Sequence, residues 1–153
     1  MVAYHRDQVR QVLQRSQALV VAGGHVGELT RVLHLFHVEP HLPPNVIAWS
    51  AGAMALADRV VLFHDYAPHE VAQTEVFGEG IGIVRNLVPL PHARRRLRFD
   101  DRVRMSVLAR RFAPAQCLVL DDGVRVPLAA DGRLPDDARV VSEDGQVADA
   151  GAA

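Results

Sequence analysis

Apolar positions recur at two different periods along the chain, and the switches between them outline its elements. Between Tyr4 and Gln17, Val9, Val12 and Leu13 stand among arginine and glutamine, a spacing that predicts a helix with one apolar face. Ala18 to Ala22 is uninterrupted apolar sequence, as in a strand buried on both faces of a parallel sheet, and it stops at Gly23-Gly24. Leu29, Val32, Leu33 and Phe36 then predict a helix starting at Gly27 or Glu28, and Pro40, Pro43 and Pro44 force a connector. Val46 to Trp49 reads as the strand beside the first, and Ala51 to about Asp58 as the helix leaving it. This α-β-α-β-α order predicts a parallel sheet covered by helices.

The second half is less regular. Val60 to Phe63 is a short strand or buried turn, His64 to Glu75 an exposed loop, and Gly78 to Gly82 a glycine-rich loop with the wrong spacing for a dinucleotide fingerprint. Leu87 to Leu90 predicts a strand, and Asp100 or Asp101 caps a helix running to Phe112. Gln116 to Leu120 predicts another strand, which Asp121-Asp122-Gly123 turns back as a hairpin into Val124 to Leu128. Arg139 to Val141 is a weak strand between Asp-Gly turns. The boundaries expected are one α/β domain over residues 1–142 and a flexible tail over 143–153.

Composition narrows the class without naming a chemistry. The 153 residues suit one domain with one core, and 49% apolar content excludes a disordered chain. A formal net charge of −1 gives no general attraction to nucleic acid or an anionic membrane, and neither is expected as a partner. All seventeen basic residues are arginine, which with the alanine-rich end suggests a GC-rich, bacterial coding origin. The single cysteine, Cys117, reads as a small buried hydrophobe. No apolar signal segment precedes Gln17 and no run is long enough to span a bilayer, so a cytoplasmic location is expected.

The chemistry concentrates at Trp49-Ser50-Ala51-Gly52-Ala53. A serine between a strand and a helix, flanked by small residues, is either a helix N-cap or a nucleophile on a sharp elbow. A nucleophile needs a base, a carboxylate to orient the base, and N–H donors for the oxyanion. Ser50, Gly24, His92, Asp121 and Asp122 all fall at predicted strand ends, where sites assemble in open α/β sheets. His92 is the best placed base, and the N–H groups of Gly24 and Ala51 are candidate oxyanion donors. Asp121 and Asp122 have a competing reading as hairpin turn residues. His34, His37 and His41 tempt a metal reading, but Pro40 breaks the helix that would align them, so no metal or other cofactor is expected. The arginines from Arg94 to Arg104 form a solvated helix face or a clamp for substrate carboxylates.

The order of these residues resembles a known family. Gly23-Gly24-His25, Trp49-Ser50-Ala51-Gly52-Ala53, Gly80-Ile81-Gly82, His92 with Arg96 and Arg98 behind it, and Leu120-Asp121-Asp122-Gly123 are similar to the cyanophycinase and peptidase E (aspartyl dipeptidase) serine peptidases. The resemblance spans roughly residues 8 to 128 and implies a three-layer, mostly parallel, flavodoxin-like fold of the class I glutamine-amidotransferase type, with serine replacing the amidotransferase cysteine. It further implies Ser50 as nucleophile, His92 as base, and Gly24 and Ala51 as oxyanion donors; Arg96 and Arg98, from the arginine run read as a carboxylate clamp, are the expected substrate-binding residues. Asp122 matches a position usually held by glutamate, Asp65 matches an aspartate of the dipeptidase branch, and Asp121 is a further alternative acid.

Three departures qualify the match. His25 stands where a polar asparagine is usual, and Leu90-Pro91 replaces an Asp-Gln pair, which argues against cyanophycin itself as substrate. The strand-helix units with which the family begins are lacking, so an open sheet edge and pairing with a second copy are expected. The resulting expectation is a serine-type peptidase acting on short peptides. The alternatives are a non-catalytic amidotransferase-like domain that binds a ligand or partner, and an α/β-hydrolase esterase using Ser50, Asp65 and His92, for which the chain is short.

Overall fold

The computed structural model describes residues 2–64, 73–129 and 131–152, a mixed α/β chain whose strands lie in three small sheets. The first apolar periodicity forms α1 (Val2–Arg15), which buries Leu13 and packs Val9 beside it. β1 (Ala18–Val21) follows, then α2 (Val26–Leu35), a 3-10 turn at Glu39–His41, β2 (Asn45–Ala48) and α3 (Ala51–Leu56). α2 lies in the long crossover that two parallel strands require. β1 and β2 do pair in parallel, Val20 opposite Ile47 and Val21 opposite Ala48.

β3 (Val60–His64) and β4 (Gln73–Gly78) make an antiparallel ribbon. β4 therefore takes the end of the stretch read from sequence as a loop, and Asp65 and the rest of that loop lie outside the described residues. The chain continues through β5 (Leu87–Pro91), α4 (Ala93–Arg96), α5 (Arg102–Phe112), β6 (Gln116–Leu120), β7 (Arg139–Val141) and β8 (Val147–Asp149), ending in a 3-10 turn at Ala150–Ala152. These four strands form one sheet in the order β5-β6-β7-β8, the first pair parallel and the next two antiparallel. α5 starts where its capping residue dictates: the Asp101 carboxylate accepts the Arg104 N–H at 3.0 Å.

Burial separates the two parallel pairs. β5 and β6 are covered on both faces, with Val88, Leu90, Cys117 and Val119 in one cluster and Leu87 and Leu118 in another. β1 and β2 are covered on one face only, by α1, α2 and α3. On the other face Val20, Ile47 and Trp49 are 54%, 56% and 52% exposed. The expectation of a doubly buried first pair is corrected here, because an apolar run records what a strand can bury and not what is present to cover it.

Two further expectations are revised. Val124 to Leu128 is not a strand; β6 takes β7 as its antiparallel neighbour, and Val126 instead packs with Leu134 and Ala138 over Leu87 and Leu118. The expected flexible tail is also ordered, since β8 pairs with β7 along its length. The Asp144 carboxylate accepts from the Ser142 hydroxyl, the Gln146 amide at 2.7 Å and Arg102 at 3.0 Å, and Ser106 on α5 donates to the Glu143 carbonyl at 2.6 Å. These bonds tie the turn to α5.

Gly52 sets how closely α3 approaches β1. A Cβ at this position would lie 2.1 Å from the Val21 carbonyl oxygen, a backbone atom that cannot turn aside. Gly52→Ala gains about 1 kcal/mol of helix propensity but meets overpacking of about 1–3 kcal/mol or more against fixed backbone. A net loss of stability is expected in urea unfolding, with the midpoint shifted down.

The Ser142 and Gln146 hydrogen bonds hold the Asp144 carboxyl below the usual carboxylate range. A depressed folded-state pKa stabilises above the unfolded value and is lost as pH falls through the folded one. Amide protection factors in β8 are therefore expected to fall in strong acid, and Asp144→Asn should lower them at neutral pH.

Candidate active site

Ser50 sits where β2 ends and α3 begins. Its backbone angles, φ 53 and ψ −127, belong to a region that side-chain-bearing residues rarely enter, at a cost of about 1–3 kcal/mol. Three neighbours impose that geometry. The Trp49 N–H donates to the Val21 carbonyl at 3.2 Å, the Gly52 N–H donates to the Trp49 carbonyl at 3.0 Å, and the Met54 N–H takes the Ser50 carbonyl at 3.2 Å. The Ser50 side chain makes no capping bond. The N-cap reading is thereby removed, and the hydroxyl is left for another partner.

Gly23 lies against it, and Gly24 follows. A Cβ on Gly23 would stand 3.1 Å from Ser50 Cβ and 3.3 Å from its Oγ, whereas Gly24, at φ 134, has open space around its Cα. Ala51 is the first residue of α3, so its N–H has no acceptor within the helix. His25, the departure noted in the sequence, caps α2: its Nδ1 accepts the Glu28 N–H at 3.3 Å.

The imidazole of His92 closes the arrangement. It follows β5 in a left-handed conformation, φ 54 and ψ 39, and its backbone N–H donates to the Leu120 carbonyl at 2.7 Å. Nε2 lies 3.5 Å from Ser50 Oγ, and Nδ1 lies 2.8 Å from Asp122 Oδ1. The outer distance is at the limit of a hydrogen bond, as such pairs often are without substrate. A carboxylate at Nδ1 favours the tautomer with its proton there, leaving the Nε2 lone pair toward the hydroxyl. Asp122 does this from a side chain 88% exposed, so solvent screens much of its charge.

The other sequence candidates fall elsewhere. Asp121 bonds Arg94 rather than the imidazole: its Oδ1 accepts the Arg94 N–H at 2.8 Å and its Oδ2 pairs with Arg94 Nε at 3.3 Å. Asp65 is outside the described residues. Arg96 stacks on the Phe63 ring at 4.8 Å and donates to the Pro91 carbonyl at 3.4 Å, bracing the strand that carries His92. Arg98 makes a two-pronged bond to Asp100, at 2.8 and 2.6 Å, which holds the Asp100 carboxyl down at about 2. Both of the arginines expected to form a clamp hold partners within the chain.

Among the described residues, no three His, Cys, Asp or Glu side chains converge as a metal set, and no helix is long and apolar enough to cross a membrane. Cys117 is no rival nucleophile, since burial pushes its thiol up to about 12. An open depression of about 1080 Å³, lined in part by Arg95, Phe99, Asp122 and Gln146, meets His92 from its Asp122 side rather than in front of Ser50.

Comparison of the chain with protein-family models, curated proteins and solved structures gives no match. The chemistry rests on the geometry.

That geometry has a test independent of activity. Ser50→Gly removes strain of about 1–3 kcal/mol and costs about 0.5–1 kcal/mol in unfolded-state entropy. It is expected to raise stability by roughly 1 kcal/mol in chemical denaturation, whereas Ser50→Ala, which keeps a Cβ, should not.

Proposed function

We propose that the chain is a serine-type hydrolase that cleaves short peptides through an acyl-enzyme on Ser50. One observation carries the reading: a serine in a strained backbone, making no cap bond, whose Oγ is 3.5 Å from an imidazole held on its far side by a carboxylate. Strain of this kind persists only where surrounding structure enforces it. In the reaction, Oγ attacks the scissile carbonyl as His92 Nε2 takes its proton, and Asp122 stabilises the imidazolium. The N–H groups of Gly24 and Ala51 receive the oxyanion. His92 then returns the proton to the leaving amine, and water, deprotonated by the same nitrogen, releases the acid.

The peptide substrate class rests on the residue order shared with the cyanophycinase and peptidase E family. The proposed arrangement is a variant of that family's flavodoxin-type fold. Its support is two parallel pairs, β1–β2 and β5–β6: Ser50 follows the first with Gly23 beside it, and His92 and Asp122 follow the strands of the second. A second reading is a non-catalytic domain that binds a ligand or partner, self-association included. The exposed Val20, Ile47 and Trp49 beside Ser50, and the screened position of Asp122, favour it.

The readings separate on purified protein. Under the hydrolase reading a fluorophosphonate labels Ser50, and a dipeptide panel is turned over. Ser50→Ala and His92→Ala should each abolish turnover, and the double variant should lose little more, because such residues act as a unit. A folded preparation that neither labels nor hydrolyses points to the binding domain, and its mass in solution reports self-association.

A further inference from the structure

The hydrolase reading leaves Asp121 unused, although it sits beside the proposed acid with its side chain 20% exposed. We infer that Asp121 is a positioning residue: through the Arg94 backbone N–H it fixes the turn that presents His92 to Ser50 and Asp122. The inference rests on the hydrolase reading and deepens it.

The argument begins with α4. A single turn, Ala93–Arg96, is too short to nucleate by its own hydrogen bonds. Its N-cap residue is His92, whose side chain makes no capping bond because the ring is engaged with Ser50 and Asp122. The cap is supplied instead from 27 residues downstream, by Asp121 Oδ1 on the Arg94 N–H at 2.8 Å. His92 itself holds a left-handed conformation, unfavourable in a residue with a Cβ. That conformation is restrained by its N–H on the Leu120 carbonyl at 2.7 Å, by the Arg95 and Arg96 N–H groups on its own carbonyl at 3.0 and 3.1 Å, and by the Asp121 bond two residues on, which fixes the turn those two donors belong to. The end of β6 thus addresses the histidine three times in succession: Leu120 through the main chain, Asp121 through the turn, Asp122 through the ring.

The Asp121–Arg94 ion pair is a competing reason for the aspartate. It is 3.3 Å long and its guanidinium is 85% exposed, so solvent screens it and its contribution is small. The backbone bond is the part that matters.

Two readouts test this: the fluorophosphonate labelling rate of Ser50, and the ring ¹⁵N spectrum of His92, which reports the tautomer without requiring activity. Asp121→Ala is expected to slow labelling about a hundredfold, the scale of a displacement near 1 Å at a reacting group, and to replace a fixed Nδ1–H tautomer by an averaged one. Asp121→Asn keeps the acceptor and should stay within a few-fold of wild type with the tautomer retained. Arg94→Ala removes the ion pair, keeps the N–H, and should change neither readout. Should Asp121→Ala fail to fold, Asp121→Glu keeps the charge but displaces the acceptor, and the same losses are expected. Wild-type labelling and an unchanged ring spectrum in either variant would overturn the inference, as would an Arg94→Ala that reproduces the loss. Wild-type protein that shows the fixed tautomer but never labels would instead count against hydrolysis, with the ring spectra still deciding the role of Asp121.

Discussion

The backbone of Ser50 depends on how near two other backbones come to it. β1 ends with the Val21 carbonyl directed at the Trp49 N–H, and α3 begins with Gly52 pressed on that same carbonyl. No side chain fits between them. The chain between Trp49 and Gly52 must therefore turn within one residue, and that residue takes the unfavourable angles. Strain of about 1–3 kcal/mol is small against the parallel pairing and the core cluster that hold the two sides in place. Were β1 and β2 unpaired, or α3 set further out, Ser50 would relax into an ordinary helix cap.

The partner side is built on a different principle. His92 is carried by β5, whose residues are buried on both faces, and it is reached from β6 by hydrogen bonds to main chain, turn and ring. Its rigidity comes from the well-covered sheet. Ser50 is carried by the poorly covered pair, and among the described residues the two halves share no strand ladder. Their connection runs through α3, whose Ala51 and Met54 join the cluster of Val88 and Leu90. The 3.5 Å separation thus lies across packing contacts rather than across hydrogen-bonded strands.

The division has a cost that the sequence states openly. Parallel sheets are stable when covered on both faces, and β1–β2 leaves Val20, Ile47 and Trp49 in water. At about 25 cal/mol per Å² of apolar surface, covering them would contribute materially to stability. The second sheet shows what cover achieves: the segment through Val126, Leu134 and Ala138 lies over Leu87 and Leu118 although it is neither helix nor strand.

Much of the fold was legible because its signals are local. Apolar runs marked β1, β2, β5 and β6; prolines ended elements; Asp101 capped α5; and small residues around Ser50 announced a turn too tight for side chains. Ser50, His92 and Asp122 were singled out by their placement at strand ends, and the structure brings those three together. What the sequence left open depends on contacts between distant residues. Asp121 and Asp122 are chemically identical neighbours, and only the direction each takes past the end of β6 assigns one to the Arg94 N–H and the other to the imidazole. Arg96 and Arg98 read as free cations until Phe63 and Asp100 are placed beside them. β7 displaced the adjacent Val124–Leu128 stretch as the neighbour of β6 because pairing rewards a matched edge over closeness in sequence. Local chemistry determined where the chain turns and which residues could react; tertiary packing decided which of them meet, because proximity across a fold belongs to the pairing of elements and not to any one of them.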